Sequence, residues 1–144
     1  KGAKKMYKHI LLAADGSEHS LRATEEAIKI ASSATDCKVE VVFVVDYLQS
    51  KKDVIHSQGI EGLEMSRRKK LLPIVEKLKD NYISYEVRLM RGEPGPTIVE
   101  HVNQTGVDLV VIGSRGLNAL QEMVLGSVSH KVAKRVNCPV LIVK

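Results

Sequence analysis

The chain has 144 residues, enough for one domain (1–144) with one core, and too few for a second full domain. Apolar residues make up 44% and charged residues 27%, with one Phe, four Tyr and no Trp, so the core is expected to be aliphatic, as in a parallel sheet covered by helices. The net charge of +5 is spread over both halves, which disfavours nucleic acid as the main partner, because such binders gather charge on one face and add aromatics for stacking.

Two cysteines, Cys37 and Cys138, are too few for a secreted disulfide framework. No apolar run approaches the roughly 20 residues that span a bilayer, and the amino-terminal stretch has no apolar signal core. The expectation is a cytoplasmic protein with reduced thiols and no membrane partner.

Ile10 to Ala14 is a continuous apolar run, predicting a central strand buried on both faces. Asp15-Gly16-Ser17 ends it as a turn, with Ser17 placed to cap a helix. Leu21, Thr24, Ile28 and Ala31 then recur at helical spacing. Val39 to Val45 reads as a second buried strand, with Glu40 near its start, and 47–59 as a polar loop. Ile60 to Asp80 is helical by period, with a kink or a restart at Pro73, because a mid-helix proline costs about 3 kcal/mol.

Ile83, Tyr85, Val87 and Leu89 alternate with polar residues, the mark of a half-exposed edge strand. Gly92 to Pro96 reads as a turn that opens the next helix, with Pro96 near its first turn and Gly106 placed to end it. Val107 to Ile112 is a fourth strand. Gly113 to Gly126 is a glycine-bounded loop, after which Ser127 is placed to cap a helix carrying Val128, Val132 and Val136. Pro139 to Val143 is a last strand. Five strands and four helices in strict alternation predict an α/β domain with a parallel sheet and helices on both faces.

In such sheets ligands bind beyond the carboxyl ends of the strands. Two motifs occupy these ends. Asp15 follows strand one, where a carboxylate can accept from ribose hydroxyls or hold a metal through water; its other reading is a residue that shapes the turn. After strand four come Gly113-Ser114-Arg115-Gly116, nine residues, and Gly126-Ser127 opening a helix. Glycines let phosphates approach bare amides and permit unusual φ values. The helix start offers free N–H groups and a positive dipole end. Ser127 and Ser129 can add hydroxyls and Arg115 a charge.

These residues resemble the ATP-binding branch of the universal stress protein family, whose signature G-x2-G-x9-G-[S/T] is matched by Gly113, Gly116, Gly126 and Ser127. Residues 10–18, 41–46 and 138–143 are similar to the family's first, second and last strands. The resemblance implies a Rossmann-like open sheet of order 3-2-1-4-5. It implies ATP, or AMP or ADP, as ligand, with Mg2+ an optional companion of the phosphates. Asp15 would meet the ribose or the metal-phosphate region, and the backbone of Val44 the adenine. Gly113, Gly116, Gly126, Ser127, Val128 and Ser129 would surround ribose and phosphates. Ala13, Ala14 and Ile112, which lead into the two turns, complete the set with Arg115; Ala13 departs from the bulkier Pro or Val of many members.

Order 3-2-1-4-5 leaves the last strand at an edge. Val140-Leu141-Ile142-Val143 lacks the protecting charges of the other edge (Glu86, Arg88), so a homodimer through this strand is expected. No G-x4-G-K-[S/T] loop is present, and no G-x-G-x-x-G follows strand one. The five histidines show no metal-ligand spacing and read as surface or satisfied side chains; Cys138 reads as packing. A receiver domain would need an Asp where Leu89-Met90-Arg91 ends strand three. Beyond Asp15 no residue is placed to orient a hydrolytic water, so an adenine-nucleotide-binding stress or signalling protein with little or no hydrolysis is favoured over a slow ATPase or an interaction module with AMP or an empty pocket.

Overall fold

Strand and helix alternate along the whole described chain: β1 (His9–Ala14), α1 (Glu18–Ser32), β2 (Lys38–Val45), α2 (Ile60–Asp80), β3 (Ser84–Arg91), α3 (Pro94–Gln104), β4 (Leu109–Gly113), α4 (Ser127–Arg135) and β5 (Val140–Val143). The computed structural model describes residues 7–45, 60–115 and 125–144, with 60–64 described by backbone alone. The expected loop 47–59 and most of the segment between Arg115 and Gly126 lie outside these residues.

The five strands form one parallel sheet in the order β3-β2-β1-β4-β5. Side chains of β1 alternate between two cores, as a pleated strand requires. Ile10, Leu12 and Ala14 join Ala23, Ala27 and Ile28 of α1 and Ile74 and Leu78 of α2. Leu11 and Ala13 join Ile98 and Val102 of α3 and Val132 of α4. Helices α1 and α2 thus cover one face and α3 and α4 the other, as right-handed crossovers demand for this order.

Local chemistry sets the boundaries. The Ser17 hydroxyl accepts from Ser20 N and caps α1. Small residues at Ser20, Ala23, Thr24, Ala27 and Ala31 line its buried stripe and let the helix lie close to the sheet. Helix α2 runs unbroken through Pro73, so no restart occurs there. Pro73 is exposed, on the solvent side of the helix, and costs it one intrahelical bond. Helix α3 begins at Pro94, two residues before Pro96, and ends at Gln104 with Thr105 as its C-cap, so Gly106 stands just past the end. Strand β4 starts at Leu109, not Val107: the Asp108 carboxylate turns back to accept from Lys8 N (3.0 Å) and His9 N (3.2 Å), tying the entrance of β4 to that of β1.

Strand β3 is an edge, as its alternation indicates, but its two faces are used against expectation. Leu89 on its apolar side is 54% exposed and Val87 is 39% exposed. The polar side sends Arg88 inward to a carboxylate on β2. On the other edge all four β5 residues are half-buried.

Candidate functional site

The strand order reverses between β1 and β4. From β1 the chain runs outward through β2 to β3; from β4 it runs the other way to β5. The turns leaving β1 and β4 therefore diverge to opposite faces and open a crevice at the carboxyl ends of two neighbouring strands. Ala13, Ala14 and Ile112 lie just beneath it, each 6–7% exposed. Val44, half-buried near the end of β2, pairs in register with Met90.

The β1 turn is built by Asp15. Its Oδ1 accepts from Ser17 N at 2.9 Å, and its own N–H donates to Ser20 Oγ at 3.3 Å. Between them Gly16 has φ +84°, a left-handed conformation that disfavours any Cβ. A Cβ at Gly16 would also stand 2.7 Å from Cγ of Lys70, so the stem of that α2 residue lies against the turn. Asp15 thus shapes the turn, as one of its two readings holds.

The β4 motif closes on one carbonyl. Ser114 O accepts from Gly126 N at 2.7 Å, and the Ser129 hydroxyl lies 2.9 Å from it and 3.0 Å from Gly126 O. Ser114 N donates to Val143 O at 2.7 Å, anchoring the same residue to β5. Residues far apart in sequence, 113–115 and 125–129, are thereby brought together at the start of α4. Gly116 lies outside the described residues.

Three expectations about this segment change. Gly126, not Ser127, is the N-cap of α4: it is extended (φ −72°, ψ 164°) and its carbonyl accepts the first intrahelical bond, from His130 N. Ser127 is the first helical residue, with an exposed side chain. Neither Gly113 nor Gly126 has the unusual φ expected of them; among the described residues of this crevice a positive value belongs to Gly16. Gly113 instead permits close packing, since a Cβ there would stand 2.7 Å from His19 Cβ and 2.9 Å from His19 backbone carbon on α1. Ser129 is buried and its hydroxyl is spent on the closure.

What remains at the helix start suits an anion. The amides of Ser127, Val128 and Ser129 have no carbonyl four residues back within the helix. The α4 dipole places positive potential there. Arg115 lies half-buried beside it. Among the described residues no group of three or more His, Cys, Asp or Glu side chains is arranged to hold a metal ion, and no helix is long and apolar enough to cross a membrane.

Elsewhere the structure contains a polar cluster that the sequence pattern did not reveal. Glu40, 1% exposed, is ringed by donors. His9 Nε2 lies 2.7 Å from its Oε1; Arg88 Nε and His101 Nε2 lie 2.6 and 2.7 Å from its Oε2. A carboxylate only accepts, so both imidazoles carry their proton on Nε2. Burial alone would push the Glu40 carboxyl up; the hydrogen bonds from Arg88, His101 and His9 outweigh it and hold the group below the usual carboxylate range. The signal was a single Glu inside an apolar strand, with a His one position before β1's apolar run. Both cysteines are free, and burial, with Asp108 nearby, pushes their thiols up, away from nucleophilic use.

Comparison with known proteins agrees with this architecture. The sequence model of the Universal stress protein family matches residues 6–144. Universal stress protein YxiE of Bacillus subtilis is 31% identical over 96% of this chain and all of its own length. The solved structure of MJ0577 from Methanocaldococcus jannaschii superposes with a TM-score of 0.80 at 30% identity, covering 96% of each chain. A universal stress protein solved in complex with cAMP superposes with a TM-score of 0.71 at 27% identity, covering 97% of this chain and 98% of its own. The chain belongs to the universal stress protein family.

Proposed function

We propose that this chain binds an adenine nucleotide, ATP before AMP or ADP, in the crevice between the β1 and β4 turns, and hydrolyses it little or not at all. The observation that carries the proposal is the closure on Ser114 O, which assembles Gly113, Arg115, Gly126, Ser127, Val128 and Ser129 around one helix start. Helix-start amides and a positive dipole end favour phosphate there. The solved relative in complex with cAMP supports an adenine nucleotide as ligand class.

In this reading the amides of Ser127 and Val128 and the exposed Ser127 hydroxyl take phosphate oxygens, with Gly116 giving close approach and Arg115 adding charge. Ala13, Ala14 and Ile112 form the floor, Val44 offers backbone groups to the adenine, and Asp15 faces the ribose. Mg2+ would be held by the phosphates plus one carboxylate, for which Asp15 is the candidate. Hydrolysis is slow in this reading, with no further acid placed to orient water among the described residues. The chain works in the cytoplasm as a homodimer joined through β5, whose half-buried apolar residues Val140–Val143 form an edge; nucleic acid and membrane are not its partners.

Chromatography of the supernatant from denatured, purified protein tests the ligand. Adenine nucleotide released at near one per chain supports the reading. A folded chain that releases none, and shows no affinity for added ATP, AMP or ADP, rules it out.

A further inference from the structure

We propose that the Glu40 cluster is an acid-operated latch: when its carboxylate takes up a proton, the α3–α4 layer comes free of the sheet while the α1–α2 layer stays packed.

Glu40 is the one charged residue buried among the described residues. Its three partners come from β1 (His9), β3 (Arg88) and α3 (His101), so a single side chain ties the helix to three strands. Helices α3 and α4 are tied to each other. Asn103 Nδ2 donates to Arg135 O at 3.1 Å, and Asn137 N donates to Asn103 Oδ1 at 2.8 Å. At the other end the Lys131 stem packs against Gly95. Apolar anchorage of this layer is thin. Among the described residues α3 and α4 bury three apolar side chains in the core, Ile98, Val102 and Val132, against six from α1 and α2.

Protonation changes the charge balance of the cluster. The ionised carboxylate faces one permanent cation, Arg88, and two imidazoles. The neutral acid loses acceptor capacity toward its three donors, and the exposed Arg88 guanidinium loses its closest counter-charge. Neighbouring acids replace it only in part, Glu86 acting on Arg88 at a distance. Glu86, beside Glu40 in the β3 register, pairs with Lys38 at 2.6 Å, and Asp108 is spent on the Lys8 and His9 amides.

The direction follows by linkage. In the packed layer the Glu40 carboxyl is held below its ordinary value; in the released layer it returns to that value. The latch is therefore closed above the ordinary carboxylate range and opens as pH falls through the lowered one. The same layer carries the Gly126 end of α4.

Amide hydrogen exchange, corrected for the chemical rate and taken from about pH 7 to about pH 3.5, reads the two layers separately. Protection over α3 and α4 should fall at least tenfold relative to β1 and α1. In Glu40→Gln the deficit should already be present at neutral pH and should not deepen with acid. Arg88→Gln, a milder change at an exposed residue, should move the release to higher pH. Loss of protection in both layers together, or a release pH unmoved by Arg88→Gln, overturns the proposal.

Discussion

The face of the sheet covered by α1 and α2 and the face covered by α3 and α4 pack the same strands by different means. On the first, Ile10, Leu12, Val39, Val41, Ile74 and Leu78 are fully buried with no charged side chain among them. On the second, fewer apolar residues anchor the helices and a buried carboxylate network does part of the holding. The difference suits a division of labour. An apolar layer is non-directional and insensitive to pH, whereas a polar one fixes orientation and responds to protons. The helix that starts at the candidate phosphate site belongs to the second layer; the turn containing Asp15 leads into the first.

Substitutions can break this contrast, and the largest effect is expected on the apolar side. Leu12→Ala removes a fully buried side chain and should cost about 2–5 kcal/mol in urea unfolding. ATP affinity should be unchanged in the fraction that remains folded. Gly113→Ala belongs to the same side, because its Cβ would press on the α1 backbone at His19. About 2 kcal/mol of destabilisation is expected, read as a lower denaturant midpoint.

Across the sheet, Glu40→Gln should cost about 1–3 kcal/mol at neutral pH, because an amide cannot accept from all three donors. Its distinguishing signature is pH dependence. The unmodified chain should lose the Glu40 contribution as pH falls below the ordinary carboxylate value of 4.5, and the variant should lack that component. A denaturation series at several pH values checks both statements. The smallest effect on the fold is expected of Gly126→Val, which should weaken ATP binding at least tenfold, about 1.4 kcal/mol, with little change in the urea midpoint. A fall in stability as large as that of Leu12→Ala would mean that Gly126 serves packing rather than the ligand.

The sequence makes some of these features legible and hides others, for physical reasons. The alternation of strands and helices and the exposure of β3 follow from local patterns: an apolar run buried on both faces at Ile10–Ala14, a cap at Ser17, and period two in β3; the strand order comes only through the family resemblance. Chain-distant contacts leave no such trace. Gly113 reads as a phosphate-loop glycine, and only the approach of α1 at His19 shows its packing duty. Ser127 has the residue type of a cap, yet Gly126 takes the position because its carbonyl is the one that His130 N reaches. Arg88 reads as a solvent-side charge on an edge strand, but its head reaches a carboxylate two strands from β4. Side-chain periodicity says which face a residue occupies and nothing about which polar partner waits there. The β4 motif is recognisable in sequence because its spacing encodes a local loop and helix start. The carbonyl of Ser114 that closes it carries no residue-type signal, since every residue has one.

Calorimetric titration of the nucleotide-stripped chain with ATP decides whether the crevice is a nucleotide site. Saturable binding is expected at about one nucleotide per chain with a dissociation constant in the micromolar range or below, weakened at least tenfold by Gly126→Val in a protein that still folds. Absence of saturable heat up to millimolar ATP, AMP and ADP, from a chain shown to be folded, would contradict it.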